Sequence, residues 1–319
     1  MAALPGSGLP GTLGEAEPAL GGDPTPVLSV NLDPAVRGIA DTARWVALYR
    51  ATESERPDAL FRDPWARILA GERGERVVRE MPESARRAGW SFVARTVTFD
   101  RIIQAQVAAG VSQVINLAAG LDTRPYRLDL PGTLRWIEVD QPELLSEKTA
   151  LLSQAKPRCV LERVPLDLAS ESSRRELFRR WGALGLRTLI VSEGLLVYLS
   201  EAQVRALAFD LAEQSSFERW ATDVSSPGLL RMIQRDWGRV LAAGGALLQF
   251  APERGPAFFA DLGWAPEEVH PMIMTAARLG RLPPMLRFMT MLFPGAGRFH
   301  PRRPWGGVCL LRRTAAAPG

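Results

Sequence analysis

The chain has 319 residues, 46% of them hydrophobic, and a formal net charge of +4 from 39 Lys plus Arg against 35 Asp plus Glu. That length and apolar content support a large buried core in one big or two modest domains and exclude a fibrous or wholly disordered chain. The basic excess is nearly all arginine, scattered in nothing longer than pairs such as Arg86-Arg87, Arg174-Arg175 and Arg302-Arg303, whereas a nucleic-acid binder gathers its phosphate contacts on one face; no nucleic-acid partner is expected.

In chain order, residues 1–30 are rich in Gly, Pro, Ala and Ser without periodicity and are expected to be a disordered tail. They lack the basic flank and apolar core of a signal peptide, and no later run reaches the roughly 18 apolar residues of a membrane span. A helical cap is expected over 31–110. Ala43, Val46, Ala47 and Arg50 have helical spacing behind a cap at Asp41 or Thr42; a second helix covers 60–70 with Asp63 as N-cap and Pro64 at its first position; a long one covers 90–109.

From 111 to 319 the pattern alternates. Apolar runs at 112–118, 134–139, 159–164, 187–193, 219–224 and 306–311 are separated mostly by helix-patterned segments at 143–155, 171–182, 201–214 and 228–242, which predicts a doubly wound α/β fold with a mostly parallel sheet. "GPAFFADLGW" reads as a helix and turn, followed by helical spacing from Met272 to Leu279 and a Pro-rich Met/Phe stretch to Pro294. The region around 270–300 could form a lid-like insertion, but its Met/Phe stripe reads first as ordinary core. Cys159 and Cys309 each sit in an apolar, strand-like context suited to a buried thiol, and the reducing cytoplasm is the expected location.

Ligands of open parallel sheets bind beyond the carboxyl ends of the strands. The first strand here ends "NLAAGLDTR", with Gly120 alone where a dinucleotide loop carries three glycines, and with Asp122 where a pyrophosphate would be repelled. A cationic ligand without phosphate fits better, and S-adenosylmethionine is one. The next strand ends in Asp140, 20 residues after Gly120, at about the spacing of an acid that accepts from ribose hydroxyls; the same residue could instead cap a helix starting near Pro142. Asp167 could accept from an adenine amino group beside the Leu168 backbone, or cap the helix near 171. Glu193, enclosed between two apolar runs, requires a partner, which could be a ligand cation, an arginine of the cap or a structural ion pair.

Together "NLAAGLDTRPYR", "WIEVDQP", "VPLDL" and "SEGLLVYL", in this order, resemble the leucine carboxyl methyltransferase family of S-adenosylmethionine-dependent enzymes. The upstream "DTARWVALYRATES" and "VARTVTFD" are similar to that family's cap, and "FAPERGPAFFADLGW" is similar to a bacterial branch that includes tetracenomycin-type polyketide carboxyl methyltransferases. The likeness covers most of the chain after about residue 40.

The resemblance implies a Rossmann-like class I methyltransferase with a seven-stranded sheet, no metal, and S-adenosyl-L-methionine as cofactor. It implies that Arg95 pairs with the cofactor's methionine carboxylate, with Arg44 more loosely matched nearby. Ala118 and Gly120 would form the turn beneath the cofactor, Asp140 would hold the ribose, Asp167 with Leu168 the adenine, and Glu193 the methionine end. Tyr198 would be the catalytic residue, facing the acceptor carboxylate or the transferring methyl. Where the family usually opens this loop with glycine the chain has Ala118, whose β-carbon narrows the space.

The expected acceptor is a small-molecule carboxylic acid. Such a nucleophile is already ionised near neutral pH, so in-line transfer from a sulfonium needs no base, whereas a phenol acceptor would need His270, His300 or an acid. A protein C-terminal carboxylate is a further alternative, as are a nicotinamide-dependent oxidoreductase and a non-catalytic binding member. The apolar segment from Met285 to Phe293 favours a small molecule. Asp122 and Arg124 are expected to pair with each other, or with neighbours of Arg95, and to stiffen the loop.

Overall fold

The computed structural model describes residue 36 and residues 38–314, so the expected tail lies outside the described residues. The strands are β1 (Gln113–Leu117), β2 (Arg135–Asp140), β3 (Val160–Pro165), β4 (Thr188–Ser192), β5 (Phe217–Ser225), β6 (Trp264–Pro271) and β7 (Gly306–Arg313). They form one seven-stranded sheet in the order β3-β2-β1-β4-β5-β7-β6. The first five are mutually parallel, and β7 runs antiparallel between β5 and β6.

Before the sheet come α1 (Ile39–Ser54), α2 (Ala66–Glu80), α3 (Glu83–Arg86) and α4 (Gly89–Ala108), the helical region expected at the N-terminus. The crossovers carry α5 (Arg124–Arg127), α6 (Pro142–Leu151), α7 (Glu171–Gly182), α8 (Glu201–Ala212) and α9 (Pro227–Ala243), while α10 (Met272–Arg278) and α11 (Pro284–Leu292) lie between β6 and β7. Period-two alternation divides the core. Ile115, Ile137 and Ile190 point to the side packed by α7 and α8 through Phe178 and Leu207, while Val114, Leu189 and Leu310 point to the opposite side, packed by Phe99 and Ile103 of α4.

The six apolar runs coincide with strands. β6 is the strand the sequence hid: it is an edge strand, mostly exposed, with a register shift after Pro266 and a second proline, Pro271, at its end. Proline cannot donate to a ladder and is confined to such edges and irregularities, so "WAPEEVHP" lacks the signature of an interior strand. The core reading of the Met/Phe stripe is also corrected. Met285 is 71% exposed, Phe288 57% and Met291 75%.

Two helix starts differ from expectation. α1 begins at Ile39 with Gly38 as N-cap, which places Asp41 in its first turn, where it pairs with Arg73 of α2 (Nη2 to Oδ2, 2.6 Å). α2 begins at Ala66 with Trp65 as N-cap, but Asp63 still serves the preceding turn, its Oδ1 accepting from Trp65 N (3.2 Å), while its other oxygen reaches into the core. Asp63 Oδ2 accepts from Arg50 Nε (2.9 Å) and Thr123 Oγ1 (2.6 Å). Cys159 and Cys309 are free and buried, as expected, and burial with the nearby Glu138 charge pushes the Cys159 thiol up to about 12. Among the described residues no helix is long and apolar enough to cross a membrane.

Candidate active site at the carboxyl ends of the strands

β1 lies between β2 and β4, so the order of the sheet reverses there and opens a crevice beyond the strand ends. All five residues of β1 are buried; the chain then turns through Ala118 (φ 52°) and Gly120 (φ 51°), both left-handed. For alanine this conformation costs about 1 kcal/mol, which is the physical reason the position suits glycine. The turn is held from β2: Ala119 N donates to the Val139 carbonyl (3.1 Å) and Gly120 N to Asp140 Oδ2 (2.6 Å). A β-carbon at Gly120 would come within 3.5 Å of Ala43 Cβ, so α1 passes directly over the turn.

Asp140 sits at the tip of β2, and its Oδ1 accepts from Gln141 N (2.7 Å). The N-cap of α6 is Gln141, with no side-chain cap bond, so Asp140 serves the β1 turn rather than the helix start. Burial raises its pKa, opposed by the amides of Gly120 and Gln141. One turn deeper on the same face, Glu138 is fully enclosed between Lys148 Nζ (2.8 Å) and Arg163 Nε (2.9 Å). Asp167 is exposed just beyond β3; it accepts from Ala169 N (2.9 Å), and α7 takes Ser170 as its N-cap, so the capping alternative fails here too. Leu168 packs against the core, and its carbonyl accepts from Arg174 Nη1 (2.9 Å).

Glu193 follows β4 and is gripped from two sides. Arg95 Nε of α4 reaches its Oε1 at 2.9 Å and Arg124 Nη2 its Oε2 at 2.8 Å, so the partner from the cap and the structural ion pair are both present. Burial pushes this carboxyl up, but Arg124 and Arg95 outweigh it and hold it below its ordinary value. Arg124 also bonds Asp100 (Nε to Oδ1, 2.7 Å) and Asp122 (Nη1 to Oδ2, 3.1 Å), which is the loop-stiffening role expected of it. Burial disfavours the Asp122 charge, yet Arg124 and Lys148 bring its pKa down to about 2.

Arg95 has a second acid. Its Nη1 lies 3.2 Å from Asp223 Oδ2 on β5, while Asp223 Oδ1 accepts from Gly194 N at 2.6 Å. Gly194 has φ 69°, and a β-carbon there would stand 3.3 Å from Arg95 Nη1, so glycine leaves the space the guanidinium needs. The sequence reading missed Asp223. Its signal was a fifth strand carrying an acid near its tip, as the second, third and fourth do. Arg44, by contrast, bonds Glu147 of α6 and the Leu69 carbonyl (3.3 Å), and ties the cap to the crossover helix.

Tyr198 lies in a 3-10 turn, Leu196–Tyr198, after the Gly194 loop. Its ring packs against a cluster that includes Trp45, as does that of Phe92, whose centroid is 5.3 Å from Arg95 Cζ. Burial raises the phenol's pKa, against a hydrogen bond with Thr42 and the charge of Arg95, so at neutral pH it stays protonated. A separate open cavity of about 210 Å³, lined in part by Arg101, His270 and Arg278, shares no residue with this crevice.

The profile of the leucine carboxyl methyltransferase family matches residues 43–212, just over half of the chain and the part that carries Arg95, Asp140, Asp167, Glu193 and Tyr198. The chain belongs to the leucine carboxyl methyltransferase family. It is an S-adenosylmethionine-dependent methyltransferase.

Relatives agree along most of its length. A Streptomyces avermitilis protein provisionally named an S-adenosyl-L-methionine-dependent methyltransferase is 33% identical over 264 residues, which span 76% of this chain and 89% of its own. A Streptomyces coelicolor protein of the same provisional name is 37% identical over 205 residues, 60% of this chain and 71% of its own. A solved structure of a DUF574-family protein from Streptomyces avermitilis shares the fold, with a TM-score of 0.56 at 14% identity, over 85% of this chain and 97% of that one.

The donor set of this family member fits its cofactor. Asp140, Asp167, Glu193 and Asp223 present carboxylates at or near four successive strand tips, matched to hydroxyl, amine and sulfonium groups and unsuited to a pyrophosphate. Positive φ at Ala118, Gly120 and Gly194 brings backbone close to the same space.

Proposed function

We propose that the enzyme is an O-methyltransferase that converts the carboxylate of a small aromatic or polyketide-type acid to its methyl ester. The observation that carries this reading is that no histidine lies among the described residues of the crevice, whose Asp140 and Asp223 carboxylates are engaged by the amides of Gly120, Gln141 and Gly194. Tyr198 is held protonated, Glu193 is held ionised between two guanidiniums, and the histidines are engaged elsewhere, His270 with Glu268 (2.8 Å) and His300 with Arg302 N (3.1 Å). An acceptor taken without a base must already be an anion, and a carboxylate is one.

In this reading Asp140 binds the ribose, Asp167 and Leu168 the adenine, and Arg95 with Glu193 the methionine end, over the turn of Ala118 and Gly120. Tyr198 donates its hydroxyl to the acceptor carboxylate beside an aromatic wall of Trp45 and Phe92, whose rings lie 5.2 Å apart. The wall favours an aromatic acid. S-adenosylmethionine supplies an activated methyl group; the chain supplies alignment and exclusion of water. Residues 38–110 act as a cap over the strand ends and the β6–β7 connection as a lid, joined to it where Arg281 bonds Glu53 (Nη2 to Oε1, 2.8 Å). The proposed setting is the cytoplasm, without nucleic-acid or membrane partners.

The test is transfer of labelled methyl from S-adenosylmethionine to panels of aromatic carboxylic acids, phenols and peptides with free C-termini, followed by mild base. A methyl ester releases labelled methanol and an aryl ether does not. Label retained after base, on phenols alone, would overturn the carboxylate reading.

A further inference from the structure

The ionic chain across the crevice does not balance. Four arginines, Arg50, Arg95, Arg124 and Arg127, face five carboxylates, Asp63, Asp100, Asp122, Glu193 and Asp223, while Lys148, which also acts on Asp122 and Asp140, is bonded with Arg163 to Glu138. Arg50 is matched to Asp63 (2.9 Å) and Arg127 to Asp100 (2.7 Å), while Arg124 serves Asp100, Asp122 and Glu193. The chain ends at Arg95, whose closer contact is with Glu193 at 2.9 Å and whose contact with Asp223 is 3.2 Å.

Asp223 is the carboxylate of this set whose nearest cation contact is longest, at 3.2 Å. Its nearest partner is a neutral amide, Gly194 N, at 2.6 Å. Burial raises its pKa, and Arg95 and the Gly194 amide only partly offset this, as expected of a carboxylate short of a cation. An under-compensated buried charge is costly and persists where something else supplies the counter-charge. Asp223 is 14% exposed at its side chain and shares Arg95 with Glu193.

We infer that Asp223 is the counter-charge for the cofactor's sulfonium, so that the crevice favours S-adenosylmethionine over the neutral thioether S-adenosylhomocysteine that transfer leaves behind. This rests on the cofactor lying at these strand tips, as proposed above. The two ligands share adenosine, ammonium and carboxylate and differ in the methyl group and its charge, so their affinity ratio reads the charge facing sulfur.

The experiment is calorimetric titration of the full chain and of Asp223→Asn with each ligand. Asparagine keeps an oxygen acceptor for Gly194 N and removes the charge. The expected result is a fall of about tenfold in the ratio of S-adenosylmethionine to S-adenosylhomocysteine affinity, about 1.4 kcal/mol, with affinity for S-adenosylhomocysteine nearly unchanged. An unchanged ratio, or equal loss of both ligands, overturns the inference and leaves Asp223 a support for Arg95 and Gly194.

Asp140→Asn separates the two readings. Equal weakening of both ligands by that variant keeps the cofactor at the strand tips whatever Asp223 does, and no weakening of either removes the placement itself. Should Asp223→Asn fail to fold, Asp223→Ser is read in the same way; if neither folds, Asp223 is a folding residue and the inference falls.

Discussion

Arg124 and Glu193 meet at 2.8 Å across the reversal point of the sheet, joining the turn after β1 to the tip of β4. The same guanidinium, 3% exposed, holds Asp100 of α4 and Asp122 of its own loop; Arg127 also holds Asp100 and Arg95 also holds Glu193, so Asp122 is the acid that loses its arginine with Arg124. Removing one member of such a buried set leaves a charge unpaired, at about 3 to 5 kcal/mol. Arg124→Ala is expected to lose about that much in urea unfolding. A loss below about 1 kcal/mol would show that Asp122 finds another partner.

Ala118 is the described non-glycine residue with positive φ, at 52°. Ala118→Gly should raise stability by a few tenths of a kcal/mol, on the order of 0.5, because relief of left-handed strain slightly outweighs the added freedom of the unfolded chain. Cofactor affinity, read by calorimetry, should hold or rise. Lower stability in the glycine variant would contradict the strain seen at this turn.

Acid should unfold the protein through its depressed carboxyls. Asp122, with its pKa at about 2 against an unfolded value near 4, contributes on the order of 2 kcal/mol that is fully present above pH 5 and lost as pH falls toward 2. Asp63 and Glu193 shift in the same direction. Asp140 and Asp223 are raised and contribute with the opposite sign, so acid relieves them. Urea unfolding across pH 7 to 2 should show a decline setting in below about pH 4, shallower in Asp122→Asn; an identical slope in that variant would exclude Asp122 as a source.

Tyr198→Phe removes a hydroxyl and keeps the ring against the cluster that includes Trp45. If that hydroxyl holds the acceptor carboxylate, kcat/KM should fall by about tenfold or more, as for a hydrogen bond to a charged group, with cofactor affinity within about twofold. Thr42→Val removes only the hydrogen bond to the cap and should leave most of the rate. Equal losses in both variants would make Tyr198 a tie between Thr42 and the loop.

β1 and β4 were legible because burial on both faces writes them as apolar runs, all five positions of each being buried. β6 was not, since an edge strand with Pro266 and Pro271 has no such pattern. The stripe of α11 shows why periodicity identifies a helix without saying what its apolar face meets: Met285 and Phe288 have core spacing and face outward.

Asp140 and Glu193 could be found because each follows an apolar run where the chain must turn. Asp223 lies inside its strand, followed by Val224, and its partner Arg95 is 128 residues away, a pairing that no local pattern encodes. That the more loosely matched Arg44 does not reach the crevice has the same origin. Which arginine of a cap reaches the sheet depends on helix docking, and Arg44 was turned toward Glu147.

The account rests on Asp140 and the β1 turn holding an adenosine. The most direct measurement is a crystal structure of the full chain with S-adenosylhomocysteine. Ribose hydroxyls within hydrogen-bond distance of Asp140, and the amino-acid end between Arg95 and Glu193, are the predicted result. An adenosine bound elsewhere, with Asp140 still bonded only to the amides of Gly120 and Gln141, would contradict it.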